Sequence, residues 1–292
     1  MMRLVECVPN FSEGEDEELI GQIVSVVKTA KVLDVHSDPD HNRSVVTMVG
    51  TPAEVKQAAF DLTERAMQLL DVREHQGVHP FIGVMDVIPF IPLKGSTMQE
   101  AINAAHDLGK ELWEKLKLPV YFYGQAAKIP ERADLPYVRK GGYEALKREI
   151  NDPHRKPDVG KGLHVTAGAA AVGARNFLIA YNVNLKTNDL TIAQSIAKNI
   201  RESHGGLKGV RALGLELMSQ GITQVSINIT DHQETSLRQV FNEVKIWAKE
   251  YQVEILNSEI VGLIPKDAVF PDMADVLKLK GFSEKKIIEN NL

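Results

Sequence analysis

The amino-acid sequence predicts a mixed α/β (α+β) fold that is divided into two subdomains. Amphipathic helix patterns alternate with short apolar strand patterns, and the order of these elements is similar in the two halves of the chain. A segment rich in glycine and proline, residues 125–174, lies between the halves. The 292 residues suffice for two modest domains, and a content of 43% hydrophobic and 25% charged residues is typical of a globular protein with a core.

Each helix is predicted from apolar residues that recur at steps of three and four positions. These stripes occupy residues 19–27, 55–69, 98–112, 192–200 and 237–251. Thr51 precedes Pro52 and is followed by Glu54, which predicts a capping-box start with proline at the first helical position. The starting signals of two later helices are Ser96 with Gln99 and Asp231 with Glu234.

Strands are predicted between these helices. In the first half they are residues 3–8, 31–36, 44–50, 84–89 and 119–123, and in the second half residues 177–185, 210–218, 223–230 and 253–261. The first half therefore has the order β-α-β-β-α-β-α-β and the second the order β-α-β-β-α-β. We predict two ferredoxin-like subdomains, each a split βαβ, with their boundary at residue 177.

Polar residues alternate with apolar ones along the strands of the second half. Asn182 and Asn184 alternate with Val183 and Leu185, and residues 223–230 show the same pattern. A solvated sheet face is one explanation for this alternation. The other is that the polar sheet faces of the two halves face each other and line a ligand channel.

Composition excludes several classes of function. The net charge of −5 does not indicate a nucleic-acid-binding surface. Cys7 is the only cysteine, so neither a disulfide framework nor a cysteine-based zinc site forms within one chain. No apolar stretch resembles a signal peptide or a membrane span, so we expect a cytoplasmic protein without a membrane partner.

The segment from Arg73 to Pro80 carries two histidines, His75 and His79, four positions apart. This spacing suits metal ligands on a helix, but Gly77 and Pro80 argue against a helix and no third ligand is apparent. A structural histidine and an acid–base histidine are the other two interpretations. A second polar cluster, residues 36–43, joins two predicted strands and is either a hairpin loop or part of a site.

Motifs for other chemistries are missing. The sequence has no P-loop, no dinucleotide fingerprint and no Gly-x-Ser-x-Gly elbow. Cys7 lies in an apolar predicted strand, which favours a core position over a nucleophile. A histidine that transfers protons on bound substrates remains.

Several segments together resemble one family. They are VECVPNFSEG (5–14), HQGVHP (75–80), VMDVIPFIP (84–92), PVYFYG (119–124), GAR (173–175) and FLIAYNVNL (177–185). In this order they are similar to the formiminotransferase domain family, in the stand-alone form without a cyclodeaminase portion. The resemblance implies an N-terminal subdomain, residues 1–177, and a C-terminal subdomain, residues 178–292, whose sheets face each other across a folate-binding tunnel, within a homodimer.

The resemblance also implies an activity, a transferase of one-carbon metabolism and histidine degradation. It would move a formimino group between N-formimino-L-glutamate and N5 of tetrahydrofolate, with tetrahydrofolate as co-substrate and no metal. His79 matches the catalytic histidine of the family. Two rivals stay open: formyl transfer between 5-formyltetrahydrofolate and glutamate at the same site, and a folate-binding protein without catalysis.

Further site residues follow from the same resemblance. The folate-binding loop maps onto Gly160, Lys161, Gly162, Leu163, His164, Val165, Thr166, Ala167 and Gly168. This loop is one residue shorter than in the family and lacks its aromatic residues. The residues expected to bind substrate or to assist are His36, Asp38, Asp40, Asn42, Arg43, Tyr123, Arg175, Asn182 and Asn184.

The partner that orients His79 stays open. His36 stands where the animal enzymes of the family have an aspartate thought to assist the histidine, so Asp38, Asp40 or His36 itself could serve. The basic residues expected to pair with substrate carboxylates are Arg43, Arg139, Lys140, Lys161 and Arg175. Motif context ranks Arg43 and Arg175 first.

Overall fold

The computed structural model describes residues 3–292 and separates the chain into two compact units, Met1–Arg175 and Asn176–Leu292. The division lies beside residue 177, where the sequence places the subdomain boundary. Among residues 3–292, no helix is long and apolar enough to span a membrane.

The first unit contains a seven-stranded sheet and five α-helices within the described residues. The strands are β1 (Val5–Cys7), β2 (Asn10–Phe11), β3 (Lys31–Asp38), β4 (Arg43–Gly50), β5 (Met85–Pro92), β6 (Val120–Gly124) and β7 (Ala170–Ala174). The helices are α1 (Glu17–Val24), α2 (Pro52–Leu69), α3 (Met98–Leu116), α4 (Leu135–Val138) and α5 (Gly142–Glu149). A 3-10 turn, Pro130–Ala133, precedes α4.

The sheet of this unit consists of a ferredoxin-like part and an extension. β1 and β2 both lie between β4 and β5, β3 pairs with the outer side of β4, and all of these pairs are antiparallel. This arrangement confirms the split βαβ prediction. β7 and β6 then extend the sheet in parallel beyond β5.

Sequence patterns did not predict β7, because its five residues are alanines, a valine and a glycine inside a segment rich in turn-forming residues. All five are buried, and the strand is covered on one face by α3. Gly173 is required here, since a Cβ atom at this position would lie 2.5 Å from the ring of Tyr123 on the neighbouring strand. Small residues thus allow close packing on both faces of the strand.

The capping predictions are right for one helix and wrong for two. Thr51 and Glu54 form the capping box of α2 as predicted. The cap of α3 is Thr97 with Glu100, because the Thr97 hydroxyl accepts from the Glu100 amide at 3.3 Å. Ser96 instead ends a turn, where its amide donates to the Leu93 carbonyl.

The cores of this unit lie on both faces of the sheet. Helices α1–α3 cover one face, where Phe11, Met48, Phe90 and Phe122 are buried. Each such side chain contributes about 1.5–3 kcal/mol through removal from water. The opposite face of β5–β7 packs against α4 and α5, with Tyr121, Tyr123, Val138 and Leu146 in a second apolar cluster.

The second unit is a four-stranded antiparallel sheet with two long helices. Its elements are β8 (Ile179–Leu185), α6 (Leu190–Ile200), β9 (Val210–Leu217), β10 (Ile222–Ile229), α7 (Leu237–Glu250), β11 (Ile255–Val261) and a final short α8 (Met273–Val276). The strand order β11-β8-β10-β9 confirms the ferredoxin-like prediction. The cap of α7 is Ser236 with Gln239, whereas Asp231 accepts from the amides of its own turn.

The second sheet has one apolar and one polar face. Tyr181, Val183, Val225 and Ile227 belong to the core that α6 and α7 cover. On the other face the Gln224 amide donates to Asn184 at 2.9 Å, Asn184 donates to Asn257 at 2.9 Å, and Asn182 donates to Glu259 at 3.0 Å. Asn184 is therefore paired with two other amides, and Asn182 with a carboxylate. That they face the sheet of the first unit stays a prediction.

Candidate active site

His79 lies in an irregular loop between α2 and β5, as Gly77 and Pro80 predict. Its Nδ1 atom lies 2.9 Å from the carbonyl oxygen of Pro80. A carbonyl oxygen only accepts hydrogen bonds, so the neutral imidazole carries its proton on Nδ1 and has the lone pair on Nε2. The contact with the Pro80 carbonyl thus uses Nδ1 and leaves Nε2 as the basic nitrogen of His79.

The loop of His79 is attached to the turn between β3 and β4. Asn42 donates from Nδ2 to the carbonyl of Gln76 at 2.8 Å and accepts at Oδ1 from the Gly14 amide at 2.9 Å. Asn42 has a φ of 46°, a left-handed conformation that asparagine tolerates better than most residues. A Cβ atom on Gly77 would lie 2.5 Å from the His41 carbonyl oxygen, so the two segments are in close contact.

The polar cluster 36–43 is half strand and half turn. β3 continues to Asp38 and β4 begins at Arg43, which leaves a turn of only four residues, 39–42. His36 lies on β3 opposite Val45, and Asp38 accepts the His41 amide at 2.8 Å, which stabilises the turn. The Asp40 carbonyl accepts the Val78 amide at 3.4 Å.

His41 is a site residue that the sequence interpretation did not single out. It is buried, and its ring centroid lies 5.8 Å from that of His79. The turn therefore presents one histidine beside the other. His75, in contrast, packs edge-on against Phe81, and burial lowers its pKa.

Arg43 is buried at the start of β4 and bound at both ends of its guanidinium. Nη1 donates to Asp86 Oδ2 at 2.6 Å, while Nε and Nη2 donate to Asn10 Oδ1 at 3.1 Å and 2.8 Å. Burial lowers the pKa of Arg43 to about 10, opposed by the charge of Asp86. Arg43 is therefore still cationic at neutral pH.

Asp86 is a buried carboxylate at a β-bulge of β5. Asn10 pairs with Val87 and Phe11 pairs with Met85, which leaves Asp86 as the extra residue of β5. Its Oδ1 accepts the Ile82 amide at 3.0 Å, and its Oδ2 accepts from Arg43 and also from Arg139. Burial alone would raise the pKa of Asp86, but Arg139 and Arg43 outweigh it and hold this pKa below its usual range.

The electrostatic environment of His79 favours the neutral ring. Burial lowers the pKa of His79 well below its usual value of 6.5, and the charges of Arg43, Arg139 and His41 act in the same direction. The hydrogen bond to Pro80 opposes them. Two guanidinium groups share one carboxylate here, so this group of side chains carries an excess positive charge beside a neutral base.

Tyr123 and Arg175 form a neighbouring polar pair on β6 and after β7. Tyr123 is buried, which raises the pKa of its hydroxyl, and it shares a hydrogen bond with Arg175.

Cys7 is fully buried, and burial with the nearby Glu6 raises the pKa of its thiol. Cys7 is thus a core residue, as the sequence indicates, and not an activated nucleophile.

The segment 160–168 is ordered at its end by backbone hydrogen bonds. His164 and Gly168 exchange two of them at 2.8 Å and 3.0 Å, and His164 Nδ1 accepts the Ala167 amide at 3.1 Å. At the start of the segment Gly160 has a φ of 89°, and a Cβ there would lie 2.5 Å from the Trp113 ring. Between these ends the side chain of Val165 is 71% exposed.

The structure thus brings together a part of the predicted set. Asn42 and Arg43 lie with His79, and Asp38 and Asp40 hold the same turn, whereas Asn182 and Asn184 belong to the second unit. The additional members are Asn10, His41 and Asp86, and Arg139, one of the five basic residues expected to pair with substrate carboxylates, joins Arg43 on Asp86. A charged residue inside the apolar run VMDVIPFIP was a signal for Asp86. The irregular segment 125–174 contains no sequence signal that distinguishes Arg139 from the other basic residues. No group of three potential metal ligands occurs within residues 3–292.

Comparison with known families matches both units. The model of the N-terminal subdomain of the formiminotransferase domain matches residues 4–175, and that of the formiminotransferase domain matches residues 180–285. The chain belongs to the formiminotransferase domain family. The resemblance inferred from the sequence motifs is therefore confirmed.

Members of this family align with the chain over 92–100% of its length. It is 42% identical to the glutamate formimidoyltransferase of Thermoplasma acidophilum, with 100% of this chain and 98% of the relative covered. Identity to the glutamate formimidoyltransferase of Streptococcus pyogenes serotype M1 is 39%, with 100% and 99% covered. The formimidoyltransferase-cyclodeaminase of Rattus norvegicus is 41% identical, and the alignment covers 92% of this chain but 51% of that protein.

Proposed function

We propose that this chain transfers a formimino group between N-formimino-L-glutamate and N5 of tetrahydrofolate. Family membership and full-length alignment with proteins named glutamate formimidoyltransferase support the reaction. The observation that carries the mechanism is the contact of His79 Nδ1 with the Pro80 carbonyl, which leaves the lone pair on Nε2, and the charges of Arg43 and Arg139 add to it by lowering the pKa of this ring. The formyl-transfer alternative has no structural observation in its favour.

The reaction needs one base and one acid in sequence. N5 of tetrahydrofolate attacks the amidine carbon of formiminoglutamate, and His79 Nε2 accepts the proton that N5 loses. The carbon–nitrogen bond to glutamate then breaks, and the imidazolium returns the proton to the leaving nitrogen. A positioned side chain in this role contributes about 10²–10⁴-fold to the rate.

The lowered pKa sets the order of these proton transfers. His79 is neutral before substrates bind, so it acts first as a base and only then as an acid. Arg43 and Arg139 disfavour the imidazolium, which makes the second proton transfer favourable. A single histidine can therefore serve as both base and acid in this cycle, because its side chain titrates near neutral pH.

Tetrahydrofolate binding is proposed for the segment 160–168. Gly160 and Gly162 are exposed and have positive φ values, so the backbone there can approach a ligand closely without a side chain in between. Val165 offers an exposed apolar side chain to a pterin or benzoyl ring. His36, Asp38, Asp40, Tyr123, Arg175, Asn182 and Asn184 keep the substrate-binding or assisting roles that the family resemblance implies.

A competition assay tests the reaction. The purified chain is mixed with tetrahydrofolate and equal amounts of formiminoglutamate and formylglutamate, and the one-carbon product on N5 is identified. We expect 5-formiminotetrahydrofolate, with little 5-formyl product. A predominance of the formyl product, or no turnover with either donor, would reject the proposed reaction.

A further inference from the structure

Arg43 and Arg139 both bind Asp86, but they differ in the donors that remain. All three nitrogens of the Arg43 guanidinium donate hydrogen bonds, one to Asp86 and two to Asn10. Arg139 donates to Asp86 through Nη2. Its Nε is buried and has no hydrogen-bond partner among residues 3–292.

A buried donor without a partner is unusual in a folded protein and costs about 1–3 kcal/mol. The Arg139 side chain is only 14% exposed, so bulk water does not fully compensate. Two guanidinium groups face one carboxylate, Asp86, which leaves one positive charge of this group without a counter-charge. A second carboxylate would satisfy both the donor and the charge, since guanidinium pairs with carboxylates through two parallel hydrogen bonds.

The turn that carries Arg139 is held in place from outside the site. Arg155 donates through Nη1 to the Tyr137 carbonyl at 3.3 Å and through Nη2 to the Lys140 carbonyl at 2.8 Å. The hydroxyl of Tyr121 on β6 donates in turn to the carbonyl of Arg155. Residues on both sides of Arg139 are thereby tied to the sheet, so its free donors have a defined direction before any ligand binds.

We propose that Arg139 binds a carboxylate of the amino-acid substrate, an assignment that rests on the transferase function proposed above. Arg43 and Arg175, which motif context ranks first, are already engaged by Asp86 with Asn10 and by Tyr123. Arg139 is close enough to His79 to lower its pKa. Both carboxylates of formiminoglutamate lie within a few bonds of the nitrogen that His79 protonates, whereas those of the folate tail lie beyond the benzoyl ring.

Kinetics of R139Q and R139K test this assignment at pH 8, which lies above the ordinary histidine pKa of about 6.5. R148Q is the matched control, because Arg148 is an exposed arginine on α5 in the same segment. We expect R139Q to raise KM for formiminoglutamate about ten- to a hundredfold, the effect of losing hydrogen bonds to a charged group. KM for tetrahydrofolate should stay within about twofold, and kcat should change less than KM, because the contact exists before and during the reaction. R139K should lie between R139Q and wild type.

Two substrate analogues locate the carboxylate. N-formimino-4-aminobutyrate lacks the α-carboxylate, and N-formimino-2-aminobutyrate lacks the γ-carboxylate. R139Q should impair the use of only one of them, since the other already lacks the group that Arg139 binds. Equal impairment with both analogues, an unchanged KM for formiminoglutamate, or an increase confined to KM for tetrahydrofolate would overturn the assignment.

Equilibrium binding separates this proposal from the proposed reaction. Titration calorimetry with L-glutamate needs no turnover, and we expect binding to wild type and R148Q but at least tenfold weaker binding to R139Q. A wild-type protein that binds glutamate without transferring the formimino group would reject the reaction and keep the site. Equal glutamate affinity of wild type and R139Q would reject the site. R139K, which keeps the charge beside Asp86, serves if R139Q does not fold.

Discussion

Asn42 donates a hydrogen bond of 2.8 Å to the carbonyl of Gln76 and thereby joins the turn between β3 and β4 to the loop of His79. The same side chain accepts the amide of Gly14. One residue thus connects three backbone segments around the proposed catalytic histidine. Its function would be to position His79 rather than to react.

Replacement of Asn42 by glycine should lower kcat about 10- to 100-fold. Glycine adopts the φ of 46° without strain, so the change removes the two hydrogen bonds and little else. A displacement of about 1 Å of a catalytic group costs up to about 10²-fold in rate. Asn42→Asp is the second variant, because it keeps an acceptor for Gly14 while it loses the donor to Gln76 and gains a negative charge.

Steady-state kinetics and thermal unfolding of both variants check this prediction. Asn42→Asp should share the loss of kcat, since it too releases the loop of His79. If both variants keep wild-type kcat while their melting temperature falls, Asn42 has only a structural role.

Replacement of His79 by alanine should lower kcat and kcat/KM together, by about 10²–10⁴-fold. The ring is half-buried in a loop and outside the hydrophobic core clusters, so the melting temperature should change little. The matched control is His75→Ala, the other histidine of the loop, which packs on Phe81. A folded His79→Ala protein with near-normal turnover would end the catalytic assignment.

Replacement of Asp86 by asparagine should destabilise the protein by about 3–5 kcal/mol, since it leaves two buried guanidinium groups without their carboxylate. Urea unfolding measures the difference. Glu254→Gln is the control, because Glu254 and Lys186 form an exposed ion pair that contributes about 0–1 kcal/mol. A loss for Asp86→Asn no larger than that of the control would show that Asp86 is not the centre of this cluster.

Sequence patterns predicted the second unit better than the first. Strong alternation placed β9 and β10 within one residue of their observed ends, whereas β7 was missed because alanine and glycine carry no strand signal. In the candidate site, His79, Asn42 and Arg43 stand in recognisable motifs. The contact of Arg139 with Asp86 joins residues 53 positions apart, and the bulge that presents Asp86 depends on its pairing with β2. Such long-range geometry is not encoded in local periodicity.

The pH dependence of kcat/KM follows from the environment of His79. Burial, Arg43, Arg139 and His41 all lower its pKa, so the neutral ring persists as pH falls below the ordinary value of 6.5. The base form is lost only when pH drops through the lowered pKa, and the acid limb of kcat/KM should therefore have its midpoint below pH 6.5. Since Arg139 contributes to the lowering, R139Q should move this midpoint to higher pH, while the exposed-site control R148Q should not. The profile is measured from pH 4.5 to 9 with wild type and both variants, with folding checked at each pH by circular dichroism. A wild-type midpoint above pH 6.5, or one that R139Q leaves in place, would mean that the limb does not report a histidine next to Arg139.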